Sequence, residues 1–219
     1  MLIAIEGIDG AGKNTLVHAL IPLLTQAGCA TVSVLSFPRY AESQAAQLAA
    51  AALHGSVPGV GESPLAMAAL FALDRAGVAD SLHAAAAAPG QVLLLDRYVA
   101  SNAAYTAARI ADLPAARSTI EEMEFGQLGL PPADLTVLLD TPPETASQRA
   151  RNREHHDESR TRDRYERDSQ LQQATYDAYQ QLAQQQWQGP WLVTSNAAAI
   201  VDKAQHVAPA AFCDAKGHK

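Results

Sequence analysis

The sequence is poor in lysine, in cysteine and in long apolar runs. Only 4 of its 219 residues are lysine and 2 are cysteine, Cys29 and Cys213. Two cysteines so far apart match no metal-site spacing, and such low usage is typical of a reducing compartment. No run reaches the roughly 18 uncharged apolar residues that a membrane-spanning helix needs. The N-terminus also lacks the basic segment of an export signal, so we expect a cytoplasmic protein without a membrane segment.

Basic residues are fewer than acidic ones and unevenly placed. The 16 lysines and arginines against 23 aspartates and glutamates give a net charge of -7, which disfavours a broad nucleic-acid-binding surface. Lys13 is the one lysine in the first 202 residues, and seven of the 12 arginines fall between positions 149 and 167. Concentrated charge of this kind still suits a small anionic ligand.

What the sequence has in abundance is apolar residues, at 48%, and alanine, at 45 residues. Long alanine-rich stretches favour helices, and they separate short apolar runs typical of buried strands. Strands that alternate with helices predict a parallel sheet with right-handed crossovers. We expect one α/β domain over residues 1–219, a three-layer sandwich whose five parallel strands are Leu2–Ile5, Thr31–Ser36, Val92–Leu95, Leu135–Leu139 and Trp191–Thr194.

A glycine-rich loop follows the first predicted strand. The residues from Gly7 to Lys13 fit the pattern G-x-x-x-x-G-K between a strand and a helix, the context that a phosphate-binding P-loop requires. Glycines let backbone N–H groups turn toward phosphate oxygens, the helix start adds partial positive charge, and the lysine adds a full charge. We predict that nucleotide phosphates contact Gly7, Asp9, Gly10, Ala11, Gly12, Lys13, Asn14 and Thr15.

One position departs from the P-loop pattern. The Ser or Thr that usually follows the lysine and binds Mg²⁺ is Asn14 in this chain. An amide oxygen is a poorer Mg²⁺ ligand than a carboxylate. We therefore expect Asp9 and a second acidic group to supply more of the metal's ligands.

A P-loop alone is compatible with GTPase switches, motor ATPases and small-molecule kinases. No N-K-x-D guanine-binding string occurs, and the apolar run before Asp96 ends in Asp96-Arg97-Tyr98. An arginine at a strand end beside the nucleotide suits a second anionic substrate, because a guanidinium can bind a phosphate through two hydrogen bonds. The second motif thus favours a kinase.

Four blocks, in the same order along the chain, resemble those of the thymidylate kinase family. They are FPRY at Phe37–Tyr40, Phe71 with Arg75, LLDRYVASNAAY at Leu94–Tyr105, and DRYER at Asp163–Arg167. The resemblance extends from Met1 to about Leu192 and looks strongest to actinobacterial members. It implies a P-loop kinase of the nucleoside monophosphate type, a cytoplasmic homodimer that uses Mg²⁺ and ATP to convert dTMP to dTDP in dTTP biosynthesis.

The resemblance assigns roles around the phosphates. Lys13 corresponds to the cation that binds the ATP β and γ phosphates, while Arg97 and Arg39 correspond to those near the acceptor phosphate. Tyr40 would donate a hydroxyl there. Asp9 would lie between the two substrates, at the metal or the sugar 3′-hydroxyl.

Further roles concern a lid, which the resemblance and the arginine cluster place at about residues 149–162. We expect the lid to be mobile and to deliver an arginine, for which we choose Arg153, to the transferring phosphoryl group. On the same side, Asp163 and Tyr165 would close the substrate site. Glu166 would be the second metal ligand beside Asp9.

The remaining roles concern the nucleoside. By resemblance, Phe71 stacks on thymine, Arg75 donates to its O4, and Asn102 faces the base edge. Tyr105 lies under the deoxyribose, where a 2′-hydroxyl has no room. Phe37 belongs to the same substrate-binding set.

Plainer interpretations stay open at this point. Phe71 could be a core aromatic residue, Arg75 could form a surface ion pair with Asp74, and the arginine cluster could be an exposed helix with interleaved charges. For the whole chain, the alternatives are a kinase of another nucleotide or deoxynucleoside and a non-catalytic nucleotide-binding switch.

Overall fold

The fold is built on a five-stranded sheet, and the computed structural model describes residues 1–57, 59–156 and 164–212. The strands are β1 (Leu2–Glu6), β2 (Thr31–Ser36), β3 (Gln91–Asp96), β4 (Leu135–Leu138) and β5 (Trp191–Val193). All neighbours pair in parallel, in the order β2-β3-β1-β4-β5. The predicted parallel sheet is confirmed, with strand ends that differ from the prediction by one residue at most.

Helices connect the strands. The α-helices are α1 (Lys13–Gln26), α2 (Gln44–Leu53), α3 (Pro64–Ala76), α4 (Ala79–Ala87), α5 (Val99–Ile110), α6 (Leu113–Ile120), α7 (Pro143–His156), α8 (Arg164–Arg167), α9 (Ser169–Gln184) and α10 (Ala197–Val207). A π-helix follows α6 at Glu121–Gln127, and a 3-10 helix lies at Pro209–Phe212. The α1 helix contacts α10, and α5 contacts α6 and α9, so helices flank the sheet.

The pairing of β1 with β3 brings two loops together. Ile5 of β1 is paired with Asp96 of β3, so the chain after Glu6 and the chain after Asp96 leave the sheet side by side at its carboxyl edge. All five residues of β1 are buried, because strands lie on both sides of it and helices cover the sheet. In parallel α/β sheets this edge is where ligands bind.

A small second core lies beside that edge. It is formed by buried alanines and larger apolar residues of α2, α3 and α8, namely Ala49, Ala52, Leu53, Met67 and Tyr165. Ser63 caps α3 by accepting a hydrogen bond from the Ala66 amide, which fixes where this helix begins. The second core therefore forms a wall over the carboxyl edge of the sheet.

Two further predictions from the sequence were the absence of a membrane-spanning helix and the presence of a lid. None of the helices in residues 1–57, 59–156 and 164–212 is long and apolar enough to cross a membrane. The predicted lid begins within α7, and its residues 157–162 lie outside the described residues.

Candidate active site

The loop after β1 is shaped by glycines with positive φ. The φ angles are 144° at Gly7, 83° at Gly10 and 103° at Gly12, a region that L side chains rarely adopt. The α1 helix begins directly after Gly12, and no side chain caps it. The first N–H groups of α1 are thus left to a ligand, as in phosphate-binding helix starts.

Lys13 folds back over this loop. Its Nζ donates hydrogen bonds of 3.0 Å to the carbonyl oxygens of Gly7 and Ile8, and the side chain is buried. Burial, reinforced by the nearby charge of Arg97 and opposed by Asp9, lowers the pKa of Lys13 to about 8. A cation in this state gains from any further negative charge that binds at the loop.

Arg97 is held on several sides. Its Nη1 donates to the Gly7 carbonyl oxygen and to the Ser101 hydroxyl, both at 3.1 Å, and its Nη2 donates to Asp9 Oδ1 at 2.5 Å. The side chain is 13% exposed. The residue has a φ of 67°, a left-handed conformation that is costly for a side chain with a Cβ. The contacts place a fixed guanidinium beside the P-loop.

Asp9 links the P-loop to α5. Beside its ion pair with Arg97, it accepts a 2.7 Å hydrogen bond from the Tyr105 hydroxyl. Burial alone would raise the pKa of Asp9, but the charges of Arg97 and Lys13 outweigh it, and the pKa lies well below its ordinary value. Asp9 is thus a carboxylate at neutral pH, and its side chain is 25% exposed.

A cavity of about 200 Å³ opens beside Asp9 and Arg97. It is mainly apolar and aromatic, with polar groups at both ends, which is typical of a small-molecule site. Its lining residues are Asp9, Phe37, Pro38, Tyr40, Leu53, Phe71, Arg75, Arg97, Ser101, Asn102, Tyr105 and Tyr165. The Tyr105 and Tyr165 rings stack with centroids 5.8 Å apart.

The end of the cavity away from the P-loop contains a buried polar cluster. Arg75 donates to the Glu124 carboxylate through Nε and Nη2, at 2.5 and 2.7 Å. Asn102 donates through Nδ2 to the same carboxylate at 2.7 Å and to the Ala68 carbonyl oxygen at 2.9 Å. The arrangement of P-loop, anion-binding arginine and enclosed polar pocket suits a nucleotide and a second phosphorylated molecule.

Comparison with known proteins agrees with this geometry. A family model described as thymidylate kinase matches residues 5–204. The chain belongs to the thymidylate kinase family. A thymidylate kinase from Mycobacterium tuberculosis (strain ATCC 25618 / H37Rv) is 50% identical over 195 residues, which cover 88% of this chain and 90% of that relative. The family resemblance noted in the sequence, including its actinobacterial character, is confirmed.

Other relatives extend the comparison. A thymidylate kinase from Xanthomonas campestris pv. campestris (strain B100) is 39% identical over 153 residues, covering 70% of this chain and 61% of that relative. The solved structure of a thymidylate kinase from Candida albicans matches with a TM-score of 0.66 at 20% identity, over 95% of this chain and 90% of that one. The match to the Candida albicans structure shows that the two proteins share the fold, a P-loop three-layer sandwich.

The cavity brings together most residues for which the thymidylate kinase resemblance implied a substrate contact. Eight of the nine line it, and their roles stay predictions: Phe37, Tyr40, Phe71, Arg75, Arg97, Asn102, Tyr105 and Tyr165. Arg75 is 3% exposed and bound to Glu124, so its alternative interpretation as a surface ion pair with Asp74 is wrong. Phe71 is half-buried and faces the cavity instead of the main core.

Arg39 is placed differently from its neighbours in the block that resembles the thymidylate kinase family. Its guanidinium lies against Asp74, with Nε 3.1 Å from Oδ1 and Nη2 donating to the Asp74 carbonyl oxygen at 2.7 Å. Pro38 and Tyr40 line the cavity, and Arg39 turns to α3. The structure therefore does not bring Arg39 to the acceptor site, and its predicted contact with a phosphate stays a prediction.

Three predicted residues fall outside this description. Asp163 is not among the described residues, and the side chains of Arg153 and Glu166 are not described. At the P-loop, Asn14 and Thr15 lie in the exposed first turn of α1. Their positions are compatible with the predicted nucleotide contacts and do not test them.

Sequence reasoning missed the residues that hold the thymidylate kinase blocks in place. Glu6 is fully buried and accepts hydrogen bonds from the amides of Tyr98 and Ser101 and from the hydroxyls of Ser101 and Tyr179. Burial raises the pKa of Glu6, and the hydrogen bond from Ser101 opposes the shift. A charged residue at the end of a buried strand needs such partners, so the position of Glu6 was a usable signal. Glu124 carried none, because it is one of three glutamates in Glu121–Gln127 and does not follow a buried strand.

Proposed function

We propose that the protein transfers the γ-phosphoryl group of ATP to the phosphate of dTMP, giving dTDP and ADP. In this reaction the bond from the γ-phosphorus to the bridging oxygen breaks, and a new bond forms to a phosphate oxygen of dTMP. Family membership supports the activity. The observation that carries the placement is the Asp9–Arg97 pair, because it belongs both to the P-loop and to the wall of the cavity.

The two substrates are anions, so the reaction needs positive charge between them. Lys13 and Arg97 would supply it, and both donate a hydrogen bond to the Gly7 carbonyl oxygen. Coulomb repulsion between the phosphates strengthens as water leaves the site. Cations that are already fixed there stabilise the transition state without reorganisation.

The rest of the cavity fits a nucleoside. Phe71 offers a ring for base stacking, and Arg75 and Asn102 offer polar groups at the base edge. Tyr105 donates its hydroxyl to Asp9, and its ring lines the cavity next to Arg97, which supports the position beside the sugar that the family resemblance implies. By the same resemblance, we assign to Tyr105 the exclusion of a 2′-hydroxyl and so the selection of a deoxyribonucleotide.

Mg²⁺ fits the acidic side of this site. Mg²⁺ keeps several waters and binds one or two carboxylates together with substrate phosphates, and Asp9 is a partly exposed carboxylate next to the P-loop. We assign it to Asp9 and, by family resemblance, to Glu166. When bound, Mg²⁺ would neutralise phosphate charge during transfer. No group of three metal-binding side chains occurs among the described residues.

The lid is the remaining part of the proposal. Arg149 of α7 donates through Nη1 to the Ala11 carbonyl oxygen of the P-loop at 3.4 Å, so the helix that leads into the lid already contacts the nucleotide loop. We assign delivery of a further cation to Arg153, and closure over the acceptor to Asp163 with Tyr165, within one domain. The P-loop contact of α7 supports this assignment.

We also propose a homodimer in the cytoplasm, where ATP is available. Leu65 and Leu73 are 50% and 52% exposed and lie eight residues apart on α3, on one side of the helix. Leu48, 43% exposed, lies on α2, which packs against α3. Large exposed leucines on two adjacent helices are typical of a surface that a partner covers.

The experiment that tests the reaction is an acceptor screen. Release of ADP is measured with ATP and Mg²⁺ for dTMP, dUMP, dCMP, AMP, GMP and thymidine. Turnover with dTMP well above every other acceptor is the expected result, and Lys13→Ala serves as the inactive control. Preference for another acceptor would indicate a different nucleotide or deoxynucleoside kinase. Nucleotide binding without acceptor-dependent turnover would indicate a non-catalytic switch.

A further inference from the structure

A buried carboxylate lies behind the cavity, at the end where the base is proposed to bind. Glu124 comes from the π-helix Glu121–Gln127 and has no exposed surface. The cavity-lining residues of the described chain do not include it. A π-helix costs stability relative to an α-helix and is frequent at functional sites. Here the π-helix places one carboxylate against two other helices.

The Glu124 carboxylate fixes the orientation of both polar side chains at this end. Arg75 of α3 donates to it through Nε and Nη2, which leaves Nη1 as the guanidinium nitrogen without a hydrogen bond to the described residues. Asn102 of α5 donates one Nδ2 hydrogen to Glu124 and the other to the Ala68 carbonyl oxygen. Because both amide hydrogens are engaged, the group that Asn102 can offer to a ligand is its carbonyl oxygen.

At this end the cavity therefore presents the N–H groups of Arg75 that Glu124 does not engage, which can only donate, and the carbonyl oxygen of Asn102, which can only accept. Thymine and uracil carry the complementary pair on one edge, the O4 acceptor beside the N3–H donor. Cytosine carries the reverse pair, an amino donor beside an acceptor nitrogen. A reversed base leaves two buried polar groups without partners, which is the strongest form of discrimination that hydrogen bonding provides.

We infer that Glu124 is a positioning residue that sets the hydrogen-bond polarity of the base pocket, so that the enzyme selects thymine or uracil over cytosine. Glu124 acts through Arg75 and Asn102 and touches no substrate itself. The negative charge matters because only an acceptor on both oxygens keeps the guanidinium turned this way and the amide nitrogen turned inward. The inference rests on the proposed placement of dTMP in this cavity.

The test is the variant Glu124→Gln, with Glu122→Gln as the matched control on an exposed position of the same π-helix. The amide nitrogen of the new glutamine would be an N–H donor, whereas the N–H groups of Arg75 and Asn102 already donate to this position. For Glu124→Gln we expect the kcat/KM ratio of dTMP to dCMP to fall at least about tenfold. The ratio of dTMP to dUMP should stay within about twofold, because a methyl group does not report on this polarity. Glu122→Gln should change neither ratio.

Two further variants keep the test decisive. Removing the charge leaves Arg75 buried without its partner, so Glu124→Gln could fail to fold; Glu124→Asp keeps the charge but is one methylene shorter, and the same fall in the dTMP to dCMP ratio is expected. Arg75→Ala tests the underlying placement of the base. If Arg75→Ala lowers the ratio and neither folded Glu124 variant does, the role of Glu124 is refuted. If Arg75→Ala leaves the ratio unchanged, the placement of dTMP is wrong.

Discussion

At the scale of single residues, Arg97 carries the heaviest structural cost in the site. Its charge is almost fully enclosed, and its backbone is left-handed. Such a conformation persists only where the surroundings determine it, and here the Asp9 carboxylate, the Gly7 carbonyl oxygen and the Ser101 hydroxyl do so. Glu6 in turn accepts hydrogen bonds from the backbone amides of Tyr98 and Ser101 and so fixes the turn that follows Arg97.

The first prediction concerns the charge of Arg97. In Arg97→Ala the cation that we propose to lie beside the acceptor phosphate is lost, and kcat with dTMP should fall about 10²- to 10³-fold, as for loss of a single transition-state donor. Steady-state ADP release measures it. Turnover within about threefold of the parent would refute the assigned role.

The second prediction concerns the backbone of the same residue. Arg97→Gly and Arg97→Ala both remove the guanidinium, but only alanine keeps a Cβ at a φ of 67°. The glycine variant should be more stable to denaturant by about 1 kcal/mol, with activity equally low. Equal stabilities in urea unfolding would mean that the left-handed turn relaxes once the guanidinium is gone.

The third prediction follows from the pKa of Lys13, which is about 8 before nucleotide binds. Above pH 8 the free lysine is neutral, and phosphates bind the charged form, so ATP binding must take up a proton. Affinity for ATP should fall up to about tenfold per pH unit between pH 8 and 10, where ATP itself is fully ionised. Calorimetry in buffers of different ionisation enthalpy measures the uptake.

The matched variant for this measurement is Lys13→Arg, because a guanidinium does not titrate in this range. It should bind ATP without the pH-dependent proton uptake. If ATP binding to the parent protein takes up no more protons at pH 9 than at pH 7, Lys13 does not gain a proton when ATP binds. The assignment of Lys13 as the titrating group would then be wrong.

The positions of the P-loop and of Arg97 in the site were predictable because local sequence determines them, through glycines at fixed spacing and a charged residue after a buried strand. The hydrogen-bond partners of the site residues were not predictable. Arg39 pairs with Asp74, which is 35 residues away in sequence, and Arg75 pairs with Glu124, which is 49 residues away. A buried ion pair of this kind depends on how three helices meet, which no local pattern encodes.

At the scale of elements, the P-loop and α7 form one packed unit. The backbone carbonyl group of Ala146 in α7 lies against Gly10, in the space where a Cβ on residue 10 would stand. Thr141 and Arg149 both donate to the Ala11 carbonyl oxygen. The α7 helix, in which the predicted lid begins, therefore packs directly on the P-loop.

The fourth prediction tests this contact with two glycines of nearly equal φ angle. Gly10 has a φ of 83° and Gly59 a φ of 82°, but a Cβ at Gly59 would meet no described atom within 4 Å. Gly59→Ala should cost about 1 kcal/mol of stability from backbone strain alone. Gly10→Ala should cost about 1–3 kcal/mol more, since overpacking against a backbone carbonyl cannot relax easily, and should also weaken ATP binding. Thermal unfolding and ATP titration compare the two; equal losses would show that α7 yields freely.

The strands were predictable as elements because apolar runs in parallel α/β sheets are buried on both faces. The edge strand β2 shows the limit of that rule: its apolar run predicted a buried strand, but all six of its residues are exposed or half-buried. The π-helix was not predicted, and its buried residue Glu124 is bound by side chains of two other helices, which local sequence does not encode.

At the scale of the whole molecule, the proposed reaction and the proposed dimer interface use different parts of the fold. The reacting groups follow β1 and β3 at the carboxyl edge, whereas Leu65 and Leu73 lie on the outside of α3, with Asp74 and Arg75 buried on its inside. One helix thus carries the arginine proposed to bind the base on one side and an apolar surface on the other. A partner that covers α3 would stabilise the position of Arg75.

The fifth prediction concerns this surface. The parent should sediment at about twice its 23.2 kDa chain mass, and the double variant Leu65→Glu/Leu73→Glu should sediment as a monomer at micromolar concentration, because apposed charges cannot be buried across an interface without partners. Val193→Glu is the matched control. Val193 is 44% exposed on β5, at the edge of the sheet opposite β2, and this variant should leave the dimer intact.

As α3 carries Arg75, the monomeric variant should also show a raised KM for dTMP with an unchanged KM for ATP. A monomeric parent, or a double variant that remains dimeric, would place the interface elsewhere.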